Sequence, residues 1–194
     1  MNRDTRTVKV LEAALKSNPQ DKALWLDYIE SLIDNDRLDD ASRTIKKLKN
    51  RGARGSALDN LRSKVDLKLA GNLFKKALAL QVDSKYKEAI QHYQKAISLK
   101  LTLPNVFNNL ATAMLTTGNI EGAITNYQKA LELAPERADL YYNLGIAFSK
   151  KNYTEKSIGS FKAALKFNPE HAEAWNNLGV ELKTKGDLIG AFSC

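Results

Sequence analysis

The chain has 194 residues, 43% of them apolar and 27% charged, and carries a formal net charge of +8. Four prolines and ten scattered glycines leave room for long helices and exclude a collagen-like or largely disordered chain. The single cysteine, Cys194, allows no internal disulfide, and no run approaches about 18 uncharged apolar residues, so neither a disulfide scaffold nor a membrane span is expected.

In chain order, Lys9 and Glu12 interrupt Val8, Val10 and Leu11, which argues against a secretory leader and for a cytoplasmic protein. Leu11, Ala14 and Pro19 have the spacing of the end of a helix and its junction. From Lys22 onward, Trp25, Tyr28, Leu32, Leu38, Ala41, Ile45 and Leu48 recur at helical intervals over two successive helices. Arg51-Gly52-Ala53-Arg54-Gly55 reads as a break. From Ser56 to about Val82 the only breaker is Gly71, while Leu58, Leu61, Val65, Leu69 and Leu73 recur. One unusually long helix is expected there, with a bend at Gly71-Asn72 as the alternative. A helix pair starting at Ala70 follows, marked by Ala77, Leu80, Ala89, Tyr93 and Ala96, with Tyr86 in the turn. Lys76 and Leu101 depart from its pattern.

Three segments beginning at Pro104, Ala138 and Ala172 then align without gaps at a spacing of 34. Position 4 is Phe107, Tyr141 and Trp175; position 7 is Leu110, Leu144 and Leu178; position 8 is Ala111, Gly145 and Gly179. Position 20 is Ala123, Ser157 and Ala191. Tyr127 and Phe161 share position 24, Ala130 and Ala164 position 27, and Pro135 and Pro169 position 32. Positions 4, 7, 8 and 11 fall on one face of a first helix, and 20, 24 and 27 on one face of a second. Small residues let the two backbones approach while the aromatic rings fill the space beside them. Gly118 and Gly186 at position 15 can adopt the left-handed geometry that ends a helix, and Asn152 tolerates it. Proline at 32 cannot continue the second helix.

These blocks, from Phe107-Asn108-Asn109-Leu110-Ala111 to Trp175-Asn176-Asn177-Leu178-Gly179, resemble the tetratricopeptide repeat family, strongly from residue 70 and more loosely before it. The resemblance implies an all-α fold, a right-handed αα superhelix of antiparallel helix pairs with a concave groove lined by first helices. The expected segments are residues 1–55, 56–103, 104–137, 138–171 and 172–194. The last copy holds 23 of 34 positions, which leads to the expectation of a fragment, and to the alternative that the chain is the recruiting arm of a larger bacterial transferase.

Asn109, Asn143 and Asn177 share position 6, one per repeat, and resemble the asparagine ladder of O-GlcNAc transferase superhelices. An asparagine amide can both donate to and accept from a peptide backbone. Their expected groove neighbours are Asn105, Asn108, Thr112, Tyr142, Ile146, Asn176 and Val180. These are neutral, unlike the basic clamp of chaperone-binding relatives, and the expected partner is a protein or peptide. The densest basic run (Arg43, Lys46, Lys47, Lys49, Arg51 and Arg54) could attract nucleic acid or an acidic partner, but it lacks interleaved aromatics and reads rather as a solvated face. His92 and His171 have no second ligand type beside them, so neither a metal nor another cofactor is expected, and no catalytic group is assigned. The sequence leaves the oligomeric state open.

Overall fold

A computed structural model describes the backbone of residues 3–193 and the side chains of residues 7–191 and 193. Cys194 and the side chain of Phe192 lie outside the described residues. The described chain is all-α, with eleven helices: α1 (Arg3–Ser17), α2 (Lys22–Asp34), α3 (Leu38–Asn50), α4 (Ser56–Val82), α5 (Tyr86–Ser98), α6 (Pro104–Thr116), α7 (Ile120–Leu133), α8 (Ala138–Lys150), α9 (Thr154–Phe167), α10 (Ala172–Lys185) and α11 (Leu188–Phe192). It forms two compact units, residues 1–72 and 73–194, whose division falls within α4. That helix runs uninterrupted for 27 residues, so Gly71 does not break it.

The turn inside each helix pair is the same in all five copies. Position 15 is Asp36, Ser84, Gly118, Asn152 or Gly186, and each has a positive φ between 56° and 90°. The next residue's amide then reaches back to the carbonyl of position 11. Arg37 bonds Leu32, Lys85 bonds Leu80, Asn119 bonds Met114, Tyr153 bonds Phe148 and Asp187 bonds Leu182, all at 2.8–2.9 Å. This 6→1 bond satisfies a carbonyl that the helix end would otherwise orphan.

The junctions between pairs come in two forms. Gly52 and Lys100 at position 31 are left-handed, with φ of 89° and 67°, and the next amides, Ala53 and Leu101, donate to Leu48 and Ala96. Ala134 and Asn168 at the same position instead have negative φ, of −148° and −139°. The reason is the following residue: Pro135 and Pro169 push the residue before them out of compact geometry and have no amide to donate.

In the second unit, the core follows the small–large pattern. Ala77, Ala89, Tyr93 and Ala96 are fully buried between α4 and α5, as are Ala111, Ala123, Tyr127 and Ala130 between α6 and α7. The α8–α9 pair is the tightest. A Cβ on Gly145 would lie 2.6 Å from the Phe161 ring, and Ser157 Oγ donates to the Gly145 carbonyl at 3.0 Å. The first unit is packed around Ile29, Leu32, Ile33, Ala41 and Ile45, with Leu58 and Val65 of α4 completing that cluster.

The position-4 aromatics are not equally buried: Phe107 is 7% exposed, Tyr141 is half-buried, and Trp175 is 36% exposed. Phe107 is enclosed by Ala130 of its own pair and Leu140 of the next first helix, and Tyr141 stacks on Phe167 at 5.6 Å. No following first helix lies over Trp175 among the described residues.

Candidate functional site

The first helices α6, α8 and α10 begin at their 34-residue periods and carry the same positions to the same face. Positions 5 and 6 are joined by side-chain bonds between neighbouring repeats. Asn143 Nδ2 donates to Asn108 Oδ1 at 3.0 Å, and Asn177 Nδ2 donates to the Tyr142 hydroxyl at 3.3 Å. Asn108 in turn donates to Asn109 Oδ1 at 3.3 Å. Each rung thus runs from position 6 of one repeat to position 5 of the one before it. Asn109 has no such rung, because position 5 of the preceding repeat is Phe74, whose ring offers no acceptor.

The remaining predicted residues divide into four environments. Thr112 Oγ1 donates to the Asn108 carbonyl and meets the Tyr127 hydroxyl, each at 3.0 Å. Burial raises the Tyr127 phenol above its ordinary value, and the bond with Thr112 partly offsets this. Tyr142 and Ile146 are half-buried and pack against the cluster of Phe161 and Leu178; the Tyr142 ring also lies 4.5 Å from the His171 ring. Asn105 is exposed at the α6 start and accepts a bond from Arg137, itself paired with Asp139. Asn176 and Val180 line a separate recess of about 610 Å³ beside α11, together with Trp175, Lys183 and Leu188. The structure therefore gathers Asn108, Asn109 and Asn143 into one network and Tyr142 with Asn177 into another. Asn105, Asn176 and Val180 stand outside both.

Outside this face, two of the six cations of the basic run are paired with carboxylates. Arg43 pairs with Asp40 and Lys49 with Asp59, each at 2.5 Å, while Arg54 donates to the carbonyls of Lys49 and Ala53. Hydrogen bonds from Arg43 and Arg37 hold the Asp40 carboxyl below the usual carboxylate range, and the Lys49 bond does the same for Asp59. His92 Nδ1 lies 3.0 Å from the Glu88 carbonyl, and His171 Nδ1 lies 3.0 Å from Glu173. Among the described residues, no group of three or more His, Cys, Asp or Glu side chains converges as a metal site would. No described helix is long and apolar enough to cross a membrane.

Sequence reasoning named both partners of each rung but not the pairing. Position 6 of one repeat meets position 5 of the one before it.

Tetratricopeptide repeat models match residues 5–65 and 138–171, and a TPR repeat model matches 83–118 and 115–152. Comparison with curated protein sequences returns no match. Among solved structures, YrrB, described as a TPR protein with an unusual peptide-binding site, is 20% identical over 96% of this chain and 89% of its own, with a TM-score of 0.59. MamA (41-end) from Desulfovibrio magneticus RS-1 is 19% identical over 88% of this chain and 89% of its own, with a TM-score of 0.61. The first TPR of Spaghetti (RPAP3), bound to an HSP90 peptide, is 22% identical over 62% of this chain and 95% of its own, with a TM-score of 0.60. At these identities the likeness is one of fold. With repeat models matched in both units and the turn geometry shared by five helix pairs, the chain belongs to the tetratricopeptide repeat family.

Proposed function

We propose that the protein is an interaction scaffold whose α6, α8 and α10 first-helix face holds an extended peptide segment of a partner protein. The observation that carries this reading is the amide network on that face. Its bonds orient the asparagines, yet Asn109 Nδ2 and Asn143 Oδ1 have no partner among the described residues. One is a donor and the other an acceptor, which is what a peptide backbone requires. Because the rungs fix the amides beforehand, less side-chain entropy is lost on binding. The face carries no Lys or Arg at the predicted positions, so it favours backbone contacts over capture of a carboxylate. The fold shared with YrrB and with the peptide-bound Spaghetti domain supports a binding role rather than catalysis, and the lone cysteine accords with a cytoplasmic setting.

The test is selection of peptides from a displayed random library on the protein, followed by titration of the selected peptide. Replacing Asn109, Asn143 and Asn177 together by alanine is expected to weaken binding by on the order of tenfold or more, with circular dichroism confirming the fold. Unchanged affinity in a folded triple variant would remove the ladder from the binding site.

A further inference from the structure

The first half of α4 performs a task that the 34-residue period assigns to a first helix. Counting 34 from Lys22 gives Ser56, and in that register Leu58 and Val65 occupy positions 3 and 10. Both are buried, at 5% and 1%, as are Val106 and Ala113 of α6 and Leu140 and Ala147 of α8. Residues 56–69 therefore close the first unit as a first helix would. Lys64 pairs with Glu30, and Lys68 donates to the Ile33 carbonyl. The second helix of that pair is missing, because α4 simply continues to Val82.

In the regular repeats, positions 4, 7, 8 and 11 face their own second helix with Phe107, Leu110, Ala111 and Met114. The same positions of α4 are Asp59, Arg62, Ser63 and Asp66. The uncovered face is thus polar where its equivalents are apolar, and a recess of about 340 Å³ lies beside it. Lys46, Lys49 and Asn50 of α3 line it with Arg62 and Asp66 of α4, over the buried Ile45 and Val65. Three cations stand there with two carboxylates, Asp66 and the Asp59 that pairs with Lys49 at 2.5 Å, which leaves a net charge of +1. Lys46 has no ion-pair partner among the described residues, and Arg62 meets Asp66 only loosely, at 3.6 Å.

We infer that this recess seats an acidic peptide segment of a partner protein. Its residual positive charge is complementary to carboxylates, and the donors not held in a close ion pair (the Lys46 ammonium, the Arg62 guanidinium and the Asn50 amide) all suit carboxylate oxygens. A nucleic acid fits less well. No aromatic ring lines the recess to stack on a base, and the Asp66 carboxylate would face the phosphates. The site is independent of the asparagine face, lying wholly within residues 42–66.

Fluorescence anisotropy of a labelled oligoglutamate peptide tests this, with oligolysine and a double-stranded DNA oligomer as comparisons. Binding of oligoglutamate at low salt is expected. Lys46→Glu and Arg62→Glu should each weaken it by on the order of tenfold, and Lys46→Gln and Arg62→Gln by less. Arg51→Glu, in the same basic run but outside the recess, should change it less than about twofold. Circular dichroism checks each fold, and the glutamine variants carry the test if a reversal unfolds the chain. Equal weakening by all three reversals would overturn the recess as the seat. So would tight DNA binding lost in Lys46→Glu without matching oligoglutamate binding, or no oligoglutamate binding by the parent protein.

Discussion

The indole nitrogen of Trp175 donates to the backbone carbonyl of Pro169 at 2.8 Å. The same bond joins Trp25 to Pro19 at 2.9 Å, again six residues back. Tryptophan at position 4 thus ties the first turn of its helix to the proline junction before it. Phe107 and Tyr141, at the same position, have no indole to make the bond. Trp175→Phe should keep most of the packing and lose this bond, costing about 0.5–1.5 kcal/mol. Urea unfolding followed by circular dichroism measures it; a loss near zero would mean that the exposed indole finds water an equal partner.

Gly145 and Gly159 should respond to alanine in opposite directions. At Gly145 the new methyl group would press on the Phe161 ring from 2.6 Å, and overpacking of this kind costs about 1–3 kcal/mol. At Gly159, inside α9, nothing lies within 4 Å, so alanine should raise stability by up to about 1 kcal/mol through helix propensity. The comparison of unfolding midpoints gives both signs in one experiment.

Ser84 sits at position 15 with φ of 60°, a geometry that Gly118 and Gly186 adopt without penalty. Ser84→Gly should relieve strain and stabilise the turn by roughly 1 kcal/mol, an effect visible as a higher thermal midpoint. Gly118→Ser should lower it by a similar amount. If both changes proved neutral, the 16→11 hydrogen bond rather than φ strain would set the energy of this turn.

Alkali should unfold the protein through its tyrosines. Burial pushes the Tyr93 phenol up to about 12, and burial together with its bond to Glu12 pushes Tyr28 up to about 12, from an ordinary 10.0. Both folded values exceed the unfolded one, so their contribution is complete below about pH 10 and declines as the pH rises from 10 through 12. Tyr93→Phe gives up the bond to Gln81, which costs stability at neutral pH, but should flatten the decline above pH 10. Phenolate absorbance against pH, read beside ellipticity, tests the assignment.

Local features of the fold were legible in the sequence. Gly118, Gly186 and Asn152 announced their turns, Pro135 and Pro169 their junctions, and the absence of breakers announced α4. Each signal acts through its own backbone, so residue type alone suffices. Asp36 and Ser84 take the same left-handed turn without announcing it, because the repeat imposes the geometry on residues that do not prefer it. The candidate site was less legible. Asn108 and Asn143 were both named, but their pairing depends on how far one first helix is displaced along the next. The exposure of Trp175 was invisible for a related reason: a ring's burial is decided by the neighbouring helix, not by the ring. The double role of α4 needed both the 34-residue count and the observed burial of Leu58 and Val65.

The two kinds of junction are set apart by their second residue, Leu101 in one and Pro169 in the other. Proline placed at 101 would drive residue 100 out of the left-handed basin and delete the amide that now reaches Ala96. Moving asparagine alone into 100 leaves that basin occupied and changes little. The form of a connector in this chain is therefore carried by a single residue, the one at position 32, and a shuffled repeat keeps its junction when that residue travels with it.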